Sequence, residues 1–85
     1  MKSSVRVLFF ATAREAVGLP SVDREVPATG STIGAVLSGI AEEHPRLEPV
    51  LKGSRFVRNG QYVRGSQTRV VPGDEIAVHP PYSGG

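Results

Sequence analysis

The residues best placed to do chemistry are the last two, Gly84-Gly85, and the group they present is an α-carboxylate. An α-carboxyl ordinarily titrates at about 3.5, so it is ionised at neutral pH and is a poor electrophile. Transfer of AMP from ATP would turn it into a mixed anhydride, open to attack by sulfur or by an amine. With sulfur the product is a thiocarboxylate on Gly85; with a lysine amine it is an isopeptide bond. Neither glycine carries a Cβ, so the pair can thread a channel too narrow for any side chain and approach a bound nucleotide closely. The chain has no cysteine. That excludes disulfides, thiolate metal sites and a persulfide on its own side chains, and leaves Gly85 as the place where this chain can carry sulfur.

The residues before the diglycine are His79-Pro80-Pro81-Tyr82-Ser83. The two prolines fix φ and bias His79 and Pro80 to extended conformations, which aims the tail outward as a polyproline-like spacer. Six residues from Pro80 span at most about 20 Å, enough to enter a partner's active site. Elsewhere the chain has no catalytic dyad, no Ser-His-Asp arrangement and no phosphate loop of the Walker type. His44 and His79 lie far apart without a third ligand and read as structural or solvated. Asp74-Glu75 reads as a turn and strand start, and Glu42-Glu43 as the solvated end of a helix.

At 85 residues the chain is one domain, burying roughly 60 to 65% of its unfolded surface. Ten basic and eight acidic residues give a formal charge of +2. The cations are scattered, so no nucleic-acid partner is indicated. A membrane span needs about 20 consecutive apolar residues, whereas the run Val7-Leu8-Phe9-Phe10-Ala11 stops at five. No membrane association and no signal peptide are read here, and a cytoplasmic location is expected.

The elements that must position the tail follow from periodicity. Val5, Val7 and Phe9 alternate with Arg6, Leu8 and Phe10, a strand over about Val5 to Phe10 with Phe9 inward and Phe10 outward. Ala11 to Val17 contains helix formers but is too short to stand alone, and Gly18-Leu19-Pro20 ends it. Ser21 to Val26 is an antiparallel edge strand. Ser31 or Thr32 can cap a helix in which Ile33, Val36, Leu37, Ile40 and Ala41 share one face, and which Pro45 stops. Arg46 to Ser54 reads as a short turn covering one end of the sheet. Asn59-Gly60 between two apolar runs marks a hairpin over Phe56 to Val63. Thr68 to Val71, the turn Pro72-Gly73-Asp74 and the strand Glu75 to His79 complete the chain. The order predicts an α+β, ubiquitin-like β-grasp: a mixed sheet of about five strands, one main helix on one face, a domain over 1–79 and an extended tail over 80–85.

Three stretches of the sequence carry a family resemblance. Val7-Leu8-Phe9-Phe10-Ala11 with Arg14-Glu15 and Gly18, then Val57, Asn59 and Val63, then Pro72-Gly73-Asp74-Glu75-Ile76-Ala77 and Pro80-Pro81-Tyr82-Ser83-Gly84-Gly85, resemble nearly end to end the molybdopterin synthase small subunit (MoaD-like) family, related to the ThiS-like sulfur carriers. The resemblance implies a sulfur carrier without catalysis of its own, whose Gly85 is adenylated and converted to a thiocarboxylate for molybdenum cofactor (molybdopterin) biosynthesis, with Gly84 as its steric companion. It implies three partners: a MoaE-like large subunit, an E1-like (MoeB-like) adenylyltransferase that uses ATP, and a sulfurtransferase or cysteine desulfurase. No bound cofactor or metal is expected. Phe10 and Tyr62 match family positions that pack on the partner, and Arg14 falls on the Arg-Glu motif at that surface. His79, Pro80, Pro81, Tyr82 and Ser83 belong to the same contact, although the family commonly has an apolar aromatic where His79 stands. The residues also permit a ubiquitin-like modifier joined to lysines through Gly85, a carrier for thiamine-thiazole or cysteine synthesis, or a non-covalent β-grasp adaptor.

Overall fold

The computed structural model describes residues 3–81. Strand β1 (Ser4–Phe9) pairs antiparallel with β2 (Ser21–Glu25) on one side and parallel with β7 (Glu75–His79) on the other. Strand β4 (Arg55–Arg58) pairs antiparallel with β7 and with β5 (Gln61–Val63). The five-stranded sheet therefore runs β2-β1-β7-β4-β5, with the first and last strands of the chain side by side at its centre. A separate two-stranded ladder joins β3 (Ser31–Thr32) to β6 (Arg69–Val70). This is the β-grasp arrangement expected from the order of elements, with β2 at an edge as anticipated.

Alternation of side chains along each strand decides which face is covered. Val5, Val7 and Phe9 of β1 and Ile76 and Val78 of β7 point inward, each 2% exposed or less. They meet Ile33, Val36, Leu37 and Ile40 of α2 (Ile33–Glu43) in one continuous core. Burying one such aliphatic side chain contributes about 1.5–3 kcal/mol, so the helix is held by its apolar stripe more than by its own propensity. Its start is fixed by Thr32, whose Oγ1 accepts a hydrogen bond from the Ala35 amide at 3.1 Å. This satisfies one of the donors that a helix N-terminus leaves unpaired.

Two more helices pack on the same face, where one main helix was expected. Ala11 to Val17 forms α1 (Ala11–Val17), and Leu47–Leu51 within the segment read as a turn forms α3. Neither is long enough to be stable alone. Ala13 and Val17 of α1 and Leu47 of α3 are buried, and the two helices lean on each other, so tertiary packing supplies what length does not. Gly18, at φ 84°, closes α1 with its amide donating to the Arg14 carbonyl at 2.8 Å, a left-handed cap that glycine adopts without steric cost.

Two side-chain brackets tie the layers. Asn59, at φ 50° in the hairpin turn, donates through Nδ2 to Asp74 Oδ1 at 3.0 Å and accepts at Oδ1 from the Glu75 amide at 2.9 Å. Asp74 Oδ2 in turn accepts from the Val71 amide at 2.9 Å. The β4–β5 turn is thereby locked to the start of β7. On the far edge, Arg24 of β2 forks onto Glu43 at the end of α2, with Nη1 and Nη2 donating to Oε2 and Oε1 at 2.9 and 2.6 Å. The arginine's hydrogen bonds, aided by its charge, hold the Glu43 carboxyl below the ordinary range and raise the Arg24 pKa.

Candidate docking face and carrier tail

Among the described residues all three helices pack on one side of the sheet, and no described element covers the other face. Cα pairing places Tyr62, Val57, Ala77 and Leu8 in one row across β5, β4, β7 and β1. All four sit on the face opposite Phe9, Ile76 and Val78. Val57 and Leu8 are half-buried, and Ala77, the smallest member, is buried between its larger neighbours. The row is apolar where an exposed sheet face is ordinarily polar.

Beside it lies an aromatic cluster made by the two central strands. Phe9 pairs with Val78 in the parallel ladder, which brings the next residues, Phe10 and His79, together on the open face. Their rings stack with centroids 4.6 Å apart and planes only 9° from parallel. Tyr62 approaches His79 at 6.4 Å, tilted by 54°. Offset or tilted ring pairs at these separations are favourable. Phe10 is 43% exposed and Tyr62 68%, while His79 is half-buried. The chain reverses directly after Phe10 through Ala11, at φ 51°, a conformation costly for a residue with a Cβ. That corner ends β1 and starts α1, leaving Phe10 at the rim of the face.

The outward assignment of Phe10 and the inward one of Phe9 both match the structure, and Tyr62 and His79 join Phe10 in one cluster. Arg14 stands one turn into α1, with its amide 3.4 Å from the Phe10 carbonyl and its side chain exposed. It makes no side-chain hydrogen bond or ion pair among the described residues. Pro80 is half-buried and Pro81 exposed. Pro81 passes Gly53, where an added Cβ would stand 3.7 Å from the proline ring. Tyr82, Ser83, Gly84 and Gly85 lie outside the described residues. Arg55 was not singled out from sequence: it is the Cα partner of His79 across β4 and β7. Alternation from Phe56 places it on the open face, but recognising it requires the strand register, which sequence does not supply.

A different concavity, of about 410 Å³, is lined by Ser3, Ser4, Arg6, Asp23, Gly73, Asp74 and Glu75. It sits at the opposite end of β1 and β7 from the tail, with Arg6 already engaged to Asp23 at 3.3 Å. Among the described residues no group of three or more His, Cys, Asp or Glu side chains is placed to hold a metal ion. The arrangement provides an apolar, aromatic-rimmed face whose central strand runs into the tail.

Comparison with known proteins bears on what such a face and tail serve. The ThiS family model matches residues 7–85. A molybdopterin synthase sulfur carrier subunit from Chlamydomonas reinhardtii is 37% identical over 82 residues, covering 95% of this chain and 98% of the relative. The protein of the same name from Homo sapiens is 40% identical, covering 95% and 93%. Among solved structures, the small archaeal modifier protein 1 from Methanosarcina acetivorans matches with a TM-score of 0.81 at 27% identity, covering 100% of this chain and 99% of that chain.

Proposed function

The chain belongs to the ThiS family, and from that premise we propose that it is the sulfur carrier subunit of a molybdopterin synthase, bearing sulfur as a thiocarboxylate on Gly85. The observation that carries this reading is the near full-length similarity to relatives named as that subunit, together with a family match that extends through Gly85.

The chemistry begins with the unreactive carboxylate. An E1-like adenylyltransferase transfers AMP from ATP to it and releases pyrophosphate. A persulfide on a sulfurtransferase or cysteine desulfurase then attacks the acyl-adenylate and displaces AMP, a thiol reductant cleaves the resulting acyl disulfide, and the thiocarboxylate that remains is a nucleophile. In the third step a large subunit receives the tail, the thiocarboxylate sulfur bonds to the molybdenum-cofactor precursor, and water cleaves the acyl–sulfur bond, leaving sulfur on the precursor and regenerating the carboxylate. On this reading the partners supply the acid and base chemistry of those steps, and this chain presents the reacting carboxylate. Its part is positional: Gly84 and Gly85 keep the tail narrow, the Pro80-Pro81 pair stiffens its root, and the sheet behind β7 anchors it. The domain over 1–79 and the tail over 80–85 are accordingly a handle and a carrier arm.

The open face supports a docking role for the handle. Phe10, Tyr62 and His79 cluster where the tail begins, and exposed aromatics contiguous with an apolar row are the surface type that binding buries. On this reading Arg14 and the root prolines border the contact.

To test the carrier reading, the chain is co-expressed with its cognate activating enzyme and sulfur source, and its intact mass is measured. The expected result is a population heavier by one oxygen-for-sulfur exchange, mapping to Gly85 and lost when Gly85 is deleted. A chain that never acquires sulfur, or that appears in a denaturant-resistant ladder joined to lysines of other proteins, contradicts the reading.

A further inference from the structure

The open face carries a polar group that an apolar partner surface would leave stranded. His79 sits amid Phe10, Tyr62 and Ala77, with one ring face against Phe10. Its imidazole makes no hydrogen bond among the described residues. His79 is half-buried, so part of it is open to solvent in the free chain. A partner covering this cluster excludes solvent from it, and a polar group buried without a replacement hydrogen bond is costly.

A second unpaired polar side chain stands beside it. Arg55 is the cross-strand partner of His79, exposed, and engaged by no carboxylate among the described residues, whose ion pairs are Arg6–Asp23 and Arg24–Glu43. Side chains of directly opposed residues lie about 5 Å apart at Cβ. The guanidinium and the imidazole edge can therefore address one and the same group. Both can donate, so the group that satisfies both is an acceptor, and the guanidinium favours one with negative charge. Of the other charged residues near this face, Arg58 of β4 donates to the Arg69 carbonyl at 2.8 Å. Arg64 lines the same concavity as Arg55 and Tyr62 and adds positive charge, and Arg14 and Glu15 of α1 are opposite in sign. Arg6 at the far end is already paired with Asp23. Lys52 precedes Gly53, which adjoins Pro81, and adds a further cation near the root of the tail.

We propose that the partner surface seated on this face is an apolar pocket containing one carboxylate side chain, placed to accept hydrogen bonds from both His79 and Arg55. The proposal rests on the docking reading above and specifies the large subunit's contribution to it. The histidine is then a specificity element: a partner with a wholly apolar pocket is rejected because it leaves the imidazole unserved.

The test is the affinity of the purified chain for its cognate large subunit, measured by isothermal titration calorimetry from about 0.05 to 0.5 M salt, for the native chain, His79→Phe, Arg55→Gln and the double variant. Melting curves establish that each variant is folded. His79→Phe keeps the stack and adds apolar area, so simple hydrophobic docking would tighten binding. The carboxylate predicts the reverse: each single variant weakens binding about 10- to 100-fold, the range of a charge-assisted hydrogen bond. The double variant is much less than additive because both groups address one acceptor, and the salt dependence seen in the native chain flattens in Arg55→Gln. If the native chain binds and both folded single variants bind within about two-fold of it or tighter, the carboxylate is refuted while the docking reading stands. If the folded native chain fails to bind at any salt concentration, the docking reading falls and the carboxylate with it.

Discussion

Phe9 and Phe10 are adjacent and chemically identical, yet truncating them should damage different properties. Phe10 is 43% exposed; with about 200 Å² for a whole phenylalanine side chain, roughly 85 Å² remains to be covered by a partner. At about 25 cal/mol per Å² this is about 2 kcal/mol, or close to 30-fold in affinity, and ordering costs on association trim it to about 10- to 30-fold. The stability loss in Phe10→Ala comes from the ring stack with His79 and from the part of the ring the chain already covers, about 1–3 kcal/mol. Phe9 is 2% exposed and faces the core, so Phe9→Ala removes about 3–5 kcal/mol, a large share of what a domain of this size possesses. Urea unfolding and calorimetric titration against the large subunit separate the two effects. The expected pattern is a folded Phe10→Ala that binds weakly and a Phe9→Ala that is destabilised by more. A Phe10→Ala chain that binds within about two-fold of native would refute the assignment of the open face as the docking surface.

Asn59 should be the most sensitive position in the hairpin. Alanine there loses both side-chain bonds across the bracket to Asp74 and Glu75 while still occupying a positive φ, for a loss of about 2–3 kcal/mol in urea unfolding; glycine, relieved of the backbone cost, should lose about 1 kcal/mol less. The Arg24–Glu43 fork gives a pH signature. The Glu43 carboxyl is depressed in the folded chain, so its contribution is complete above the unfolded value of about 4.3 and is lost as pH falls through the lower folded value. Stabilities of the native chain and Glu43→Gln, compared by denaturant titration, should differ at neutral pH and converge on acidification. A constant gap across that range would contradict the linkage. Deleting Gly84-Gly85 should leave the melting temperature unchanged, because both residues follow the last strand, while abolishing sulfur loading.

Much of this architecture was legible because local rules and tertiary structure agree. The alternation in β1 separated Phe9 from Phe10, the spacing Ile33-Val36-Leu37-Ile40 defined the buried side of α2, and Asn59-Gly60 located the hairpin. The short helices were harder to read. Seven residues from Ala11 and five from Leu47 have too little helical drive alone, and form because α1 and α3 support each other against the sheet. The open face was legible residue by residue but not as a surface. Phe10 and Tyr62 were identifiable, whereas the stack of Phe10 on His79 depends on the parallel pairing of the first and last strands. Arg55 entered only through the register that sets it opposite His79. Alternation tells which residues share a face of one strand; it does not tell which strands are neighbours.

Delivery of sulfur from Gly85 can be followed in a single-turnover experiment. Chain loaded with sulfur at Gly85 is mixed with the large subunit and the molybdenum-cofactor precursor, and the carrier's intact mass is followed over time. Gly85 is expected to return to the carboxylate as sulfur appears in the precursor, and to do so only with the large subunit present. A thiocarboxylate that persists with folded large subunit and precursor both present would contradict this delivery.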